Sequence, residues 1–153
     1  MAKNQSAGLL LYRYTNVLEV FLVHPGGPLW KNKDETAWSI PKGEFGENED
    51  PLSAAIREFF EETGIRVSGE FIELKPVIQK GGKKVFAWAL EKDIDAAAIQ
   101  SNHFEMEWPP RSGKYQSFPE VDKGAWFTME EATKKINGMQ AALIEELQMK
   151  LTA

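Results

Sequence analysis

One acidic segment, residues 43–65, constrains this 153-residue chain more than any other stretch. Asp50 is a suitable helix N-cap, Pro51 fits the first helical position, and Gly64 favours a helix end. Apolar side chains recur between these signals at spacings of three and four residues, which predicts one buried helix face. The apolar positions are Leu52, Ala55, Ile56, Phe59 and Phe60.

Three carboxylates, Glu58, Glu61 and Glu62, fall on a different face of the predicted helix. Like charges at positions i, i+3 and i+4 lie within one turn, so they repel and destabilise an isolated helix. A solvated acidic surface is the ordinary interpretation of such a cluster. A hard divalent cation such as Mg²⁺ would offset the repulsion, since it prefers oxygen ligands and keeps positions for water and phosphate. The absence of His and Cys from the segment argues against zinc.

Two further residues of the segment have functional interpretations. Arg57 is predicted to clamp Glu49 and one of the helix carboxylates by bidentate hydrogen bonds, the alternative being a helix-surface cation. Gly43 marks the start of the loop, and a glycine there also lets the backbone approach a metal ion or a phosphate closely.

The spacing of these residues carries a resemblance to a known family. The pattern Gly-x5-Glu-x7-Arg-Glu-Phe-x-Glu-Glu-x-Gly-Ile, which starts at Gly43, resembles the Nudix box at every fixed position. Seven exact matches at fixed spacing arise by chance on the order of once in 10⁸ starting points. The resemblance implies an α/β (α+β) Nudix fold, a mixed β-sheet sandwiched between helices (α/β/α) with the box as loop-helix-loop. It also implies cleavage of a nucleoside diphosphate linked to another group X.

Composition sets the remaining bounds. A length of 153 residues with 42% apolar content predicts one Nudix domain over residues 1–153. The apolar run at residues 7–11 is too short for a membrane span or a secretory signal, and the lack of cysteine fits a cytoplasmic protein. The net charge of −5 argues against a broad nucleic-acid surface. We expect a monomer or a homodimer that binds a small nucleotide polyphosphate.

Hydrophobic patterning predicts the other elements. Residues 101–123 are polar and aromatic with little regular pattern, which predicts a functional or mobile loop. The spacing of Thr128 and Glu131 predicts a capping box that starts a helix ending at residues 137–138. The remaining predictions are a hairpin of residues 7–14 and 17–24, one or two strands at 67–79 broken near 75–76, a central strand at 84–91, a last strand at 125–127 and a second amphipathic helix at 139–151.

The flanks of the box supply candidate substrate contacts. The Trp-Ser-Ile-Pro-Lys-Gly stretch that ends at Gly43 is similar to Nudix hydrolases of dinucleoside polyphosphates and of diphosphoinositol phosphates. Lys42 is placed to meet a phosphate, the alternative being a solvated loop. In residues 101–123, Arg111 and Lys114 are candidates for neutralising distal phosphates. Tyr115 or Phe118 is a candidate for stacking on a base, and ordinary loop packing is the alternative for each.

Glu120 is a further candidate. A glutamate six residues before Trp126 resembles the additional carboxylate of related dinucleoside polyphosphate and RNA pyrophosphate hydrolases, which serves as metal ligand or base. Glu105 and Glu107 compete for this role. His24 is interpreted as structural, and His103 has no assigned role.

The resulting hypothesis is metal-assisted hydrolysis of a pyrophosphate bond by water attack on phosphorus. Gly43, Glu58, Glu61 and Glu62 are the candidate metal site for Mg²⁺, with Mn²⁺ as a substitute, and Glu58, Glu62, Glu120 and Arg57 are the candidate catalytic residues. Dinucleoside polyphosphates such as diadenosine tetraphosphate rank first as substrates. Diphosphoinositol polyphosphates, RNA 5′-pyrophosphate and nucleoside triphosphates are alternatives. A Nudix-like regulatory module that binds a nucleotide without cleaving it is the non-enzyme alternative.

Overall fold

A computed structural model describes residues 5–152 of the chain as eight strands and three α-helices. The strands are β1 (Gln5–Tyr14), β2 (Leu18–Pro25), β3 (Lys42–Glu44), β4 (Ile72–Ile78), β5 (Lys84–Glu91), β6 (His103–Glu107), β7 (Tyr115–Pro119) and β8 (Val121–Thr128). The helices are α1 (Pro51–Thr63), α2 (Met129–Lys135) and α3 (Ala141–Thr152), with 3₁₀ turns at Lys80–Gly82, Ala96–Ala98 and Gly138–Gln140.

Six strands form one mixed sheet. Its order is β4-β5-β1-β2-β8, and β3 pairs with β1 beside β2. β1 runs parallel to β5 and antiparallel to β2 and β3. The short strand β3 pairs with residues 6–8 at the start of β1, and this pairing brings the loop before α1 back to the middle of the sheet.

Helices cover both faces of the sheet. On one face, α1 contributes Ala54, Ala55 and Phe59 to a buried cluster. On the other face, α2 and α3 contribute a second cluster through residues that include Leu143 and Leu147. β5 supplies alternate apolar side chains to the two clusters, which confirms that this strand is covered on both sides. The predicted α/β/α arrangement is therefore confirmed.

The ends of α1 follow the sequence signals. The Ser53 N–H donates to Asp50 Oδ2 at 3.0 Å, Pro51 opens the helix, and Gly64 adopts φ 75° while its N–H donates to the Phe60 carbonyl. The buried face differs in one respect from the expected one. Glu58 is only 9% exposed, although its sequence position placed it on a polar face.

The prediction of an irregular loop at residues 101–123 is wrong. This stretch forms the antiparallel hairpin β6-β7 and the start of β8, with Phe104 opposite Phe118. β6 does alternate polar residues with Phe104 and Met106, but each strand of the hairpin is only five residues long, so the period-2 signal is short. The last strand is likewise longer than residues 125–127 because β8 pairs along β2.

The start of the first C-terminal helix was predicted correctly from the sequence, but its end was not. The capping box is confirmed, since Thr128 Oγ1 accepts from the Glu131 N–H and Glu131 Oε1 accepts from the Thr128 N–H. α2 ends at Lys135, before the expected residues 137–138, and a 3₁₀ turn leads into α3. None of the helices in residues 5–152 has the length and apolar character needed to cross a membrane.

Candidate active site

Arg57 is the centre of a hydrogen-bonded carboxylate network. Its Nε and Nη2 donate to the two Glu49 oxygens at 2.7 and 3.0 Å, and its Nη1 donates to Glu58 Oε2 at 2.6 Å and Glu61 Oε2 at 2.8 Å. The predicted clamp is confirmed, and it holds two helix carboxylates rather than one. The hydrogen bond from Arg57 holds the pKa of Glu49 below its usual range and raises the pKa of Arg57 itself. The network therefore fixes the orientation of Glu58 and Glu61.

Burial works against charge on the neighbouring groups. Burial raises the pKa of Glu58, although Arg57 opposes the shift. Burial also raises the pKa of Glu62 to about 8, opposed by the nearby positive charge of Lys42 and reinforced by Glu58 and Glu120. The pKa of Lys42 is lowered by burial. Glu58, Glu62 and Lys42 lie in a poorly solvated part of the structure, so a bound ion would change their pKa values.

Main-chain hydrogen bonds bring Glu120 to the end of α1. The Asn102 N–H donates to the Glu61 carbonyl, and the Glu120 N–H donates to the Asn102 carbonyl, each at 2.8 Å. Glu120 consequently lies close enough to Glu62 to raise its pKa. Glu107, one of its competitors, instead accepts from the N–H groups of Arg111 and Gly113 in a turn.

Two adjoining cavities open beside these residues. The first, here named the acidic compartment, has a volume of about 400 Å³ and the second, the amide compartment, about 320 Å³. Lys42, Glu62 and Glu120 line both, so the two form one continuous cleft. The acidic compartment is also lined by Ser6, Gly43, Glu44, Glu58, Glu61, Lys83 and Asn102. Other amide-compartment residues include Trp30, Ser39, Ile40, Gln79, Asn137 and Gln140.

Gly43 is required by close packing in the acidic compartment. A Cβ atom built at this position would lie 1.8 Å from Glu58 Oε1. The Lys42 N–H next to it donates to Glu62 Oε1 at 3.3 Å. The backbone at residues 42–43 therefore lies directly against two of the helix carboxylates.

The residues of the acidic compartment fit a hard cation with phosphate. Every potential ligand there is an oxygen, and the buried Ser6 hydroxyl has no hydrogen-bond partner among residues 5–152. In the same residues, no group of three or more His, Asp or Glu side chains is arranged to hold a metal ion. One oxygen of Glu58 and one of Glu61 instead accept hydrogen bonds from Arg57 Nη1. The assignment of Gly43, Glu58, Glu61 and Glu62 as metal site stays a prediction.

The predicted substrate residues divide into two groups. Lys42 lines both compartments, whereas Arg111, Lys114 and Tyr115 line neither. These three lie at or beside the turn of the β6-β7 hairpin, where Tyr115 is 68% exposed. Their contact with substrate stays a prediction.

Sequence reasoning missed several cleft residues. Lys83 lines the acidic compartment, where its Nζ donates to Glu44 Oε2 at 2.6 Å, and Asn102 lines it from the segment before β6. Gln79, Asn137 and Gln140 line the amide compartment. For these residues, the sequence offered only one indication, the turn at Gly81 and Gly82 that precedes Lys83. The amides come from distant segments and share no motif.

The described residues thus combine an α/β/α fold with a cleft lined by carboxylates and Lys42. Residues 3–147 match the family described as NUDIX domain, so the chain belongs to this family and the resemblance of the box is confirmed. Nudix hydrolases generally use divalent metal ions.

Relatives in the family include viral and bacterial proteins. The chain is 32% identical over 118 residues to the mRNA-decapping protein g5R of African swine fever virus (isolate Pig/Kenya/KEN-50/1950), a match that covers 76% of this chain and 47% of the viral protein. The chain thus spans about half the length of that relative. It is 30% identical over 127 residues to the RNA pyrophosphohydrolase of Rhizobium meliloti (strain 1021), covering 72% of this chain and 70% of that protein.

Solved structures agree on the fold. The C. elegans Ap4A hydrolase in a binary complex superposes with a TM-score of 0.64 at 23% identity, covering 96% of this chain and 98% of that one. The NUDIX domain of Shewanella oneidensis NrtR, complexed with ADP ribose, gives a TM-score of 0.68 at 17% identity, covering 99% and 90%. At these identities the likeness concerns the fold alone.

Proposed function

We propose that this protein is a magnesium-dependent pyrophosphohydrolase that cleaves a nucleoside diphosphate linked to a second group. The observation that carries the proposal is the acidic compartment, in which Glu58, Glu62 and Glu120 surround one cavity beside the Lys42 ammonium. The pKa of Glu62, about 8, and the raised pKa of Glu58 support a site whose negative charge a bound cation would stabilise. Family membership and the bacterial relative's name support the same reaction class.

The side chains divide the chemistry between them. Glu58, Glu61, Glu62 and the backbone at Gly43 would hold Mg²⁺, or Mn²⁺ in its place, which neutralises phosphate charge and acidifies a water when bound. Arg57 keeps Glu58 and Glu61 oriented through its hydrogen bonds. A carboxylate oxygen of Glu58 or Glu120 accepts the proton of the attacking water. Lys42 and Lys83 stabilise charge on the leaving phosphate.

Dinucleoside polyphosphates such as diadenosine tetraphosphate are our first candidate substrates. The cleft has one compartment rich in charged groups for phosphates and an adjoining compartment of about 320 Å³ for a group beyond them. RNA 5′-pyrophosphate is the second candidate, favoured by the name of the Rhizobium meliloti relative. The net charge of −5 is less favourable for an extended RNA.

Phosphate release with Mg²⁺, with Mn²⁺ and with a chelator tests the reaction class directly. A substrate panel of diadenosine tetraphosphate, triphosphorylated RNA, a diphosphoinositol phosphate, a nucleotide sugar and nucleoside triphosphates then ranks substrates by kcat/KM. We expect metal-dependent release, with a higher kcat/KM on diadenosine tetraphosphate than on ATP, which carries the same base. Tight nucleotide binding without any release would instead support a regulatory module.

A further inference from the structure

The amide compartment contains a relay of hydrogen bonds whose polarity is fixed by the backbone. The Ile40 N–H donates to Gln140 Oε1 at 3.1 Å, and a main-chain N–H can only donate. The Gln140 oxygen therefore faces Ile40, and its Nε2 donates to Ser39 Oγ at 3.0 Å and to Gln79 Oε1 at 2.8 Å. Gln140 has 0% exposure, so this arrangement belongs to the core.

The relay leaves the Gln79 side-chain nitrogen as an available hydrogen-bond donor. Because the Gln79 oxygen accepts from Gln140, the Gln79 Nε2 is the part of the amide that remains available. It makes no hydrogen bond to another residue between 5 and 152, and Gln79 lines the compartment. The amide is thus oriented before any ligand arrives.

Asn137 is oriented in the same way by a second main-chain group. Its Oδ1 accepts from the Met139 N–H at 2.9 Å, which leaves Nδ2 as the available donor. Asn137 lines the same compartment as Gln79. The side-chain oxygens of Gln79 and Asn137 each accept a hydrogen bond, so the donor that these two amides have available is their nitrogen.

We propose that the amide compartment binds a 6-oxopurine base, with Gln79 and Asn137 as its specificity-determining residues. A guanine presents two adjacent acceptors, O6 and N7, whereas adenine places its N6 amino donor beside N7. Two fixed amide donors therefore match guanine and oppose the adenine amino group. Trp30, 38% exposed at the same cavity, supplies an aromatic surface for the base.

This inference rests on the proposed function and names the base of its substrate. The test compares kcat/KM for diguanosine and diadenosine tetraphosphate, and for GTP, ITP and ATP, with Mg²⁺. ITP carries O6 and N7 without the guanine amino group, so it isolates the two acceptors. We expect the guanine and hypoxanthine substrates to exceed the adenine substrates at least about tenfold, the effect of roughly one hydrogen bond of discrimination.

Two near-isosteric variants test the residues. Gln79→Glu keeps an oxygen for Gln140 and Asn137→Asp keeps one for the Met139 N–H, but each replaces the available donor by an acceptor. Both should shift the guanine-to-adenine ratio of kcat/KM toward adenine by about tenfold or more. Gln148→Glu, the same change at an exposed position of α3, should leave the ratio unchanged. Thermal unfolding checks that each variant is folded.

The outcomes separate the inference from the function on which it rests. Equal kcat/KM for guanine and adenine substrates, or an unchanged ratio in both variants, overturns the base assignment and leaves the hydrolase intact. If no nucleotide is cleaved, the proposed function fails. Calorimetric Kd values for GTP and ATP then decide the base preference, and equal values overturn it.

Discussion

The two compartments of the cleft differ in how their polar groups are satisfied. In the acidic compartment, burial raises the pKa of both Glu58 and Glu62, and the Ser6 hydroxyl has no hydrogen-bond partner in the described chain. In the amide compartment, the Gln140 side chain makes three hydrogen bonds and is fully buried. The acidic half is thus destabilising until a ligand arrives, whereas the amide half is already organised.

This difference predicts that substitutions in the acidic half act mainly on activity, whereas loss of Gln140 acts mainly on stability. A substitution in the acidic half removes a group of the proposed catalytic site. A substitution in the amide half removes hydrogen bonds that hold Ser39, Ile40 and Gln79 together. The four predictions below test that separation in order of expected size.

Glu62→Gln should have the largest effect. Turnover with Mg²⁺ should fall on the order of 10³-fold because the substitution removes a negative oxygen from the proposed metal site. Phosphate release measures it, and circular dichroism should show an unchanged fold. Glu145→Gln, an exposed acidic position of α3, is the matched control. Near-normal turnover of Glu62→Gln would contradict the assignment.

Gly43→Ala should reduce activity by about 10- to 100-fold through displacement of Glu58. The added Cβ would lie 1.8 Å from Glu58 Oε1, whereas a Cβ at Gly46 in the same loop meets no atom within 4 Å. Steady-state kinetics of the two alanine variants give the comparison. Equal activity of the Gly43 and Gly46 variants would show that the close approach at Gly43 does not matter for turnover.

Gln140→Leu should lower stability before it lowers the chemistry. The substitution leaves the buried Ile40 N–H without an acceptor, which costs about 1 to 3 kcal/mol and several degrees in Tm. Gln148→Leu on the exposed face of α3 should stay within about 0.5 kcal/mol. Denaturant unfolding measures both free energies. If the Gln140→Leu protein is as stable as the Gln148→Leu protein, the Gln140 hydrogen bonds do not contribute to stability as proposed.

The pH dependence of stability should show the smallest effect. The pKa of Glu62 is about 8 in the folded protein, and an unfolded glutamate has a pKa of about 4.3. Between these values the folded state holds a proton that the unfolded state has lost, so wild-type stability falls as pH rises. Metal-free Glu62→Gln should therefore be more stable than wild type at pH 8, by on the order of 1 to 3 kcal/mol, with a smaller difference at pH 5. Chemical unfolding in chelator at both pH values measures the difference. Parallel pH profiles would count against a buried, protonated Glu62.

The sequence alone determined the features that depend on near neighbours. Asp50, Pro51 and Gly64 specify the limits of α1 because capping acts within one turn, and the capping box of α2 is equally local. The box spacing identified the family and placed Glu61 within reach of Arg57, since residues four apart meet on a helix. The sequence alone did not predict the strand pairing of residues 101–123, because each strand of that hairpin is only five residues long and its pairing depends on the other strand.

Only the tertiary structure decided which distant groups share the cleft. Glu120 reaches Glu62 through Asn102, Lys83 arrives on the turn between β4 and β5, and three amides come together from Gln79, Asn137 and Gln140. Burial, which raises the pKa values of Glu58 and Glu62, is likewise a property of the packed sheet and helix. Spacing along a chain fixes contacts within a helix or a turn, whereas strand pairing between remote segments determines desolvation and contacts across a cavity.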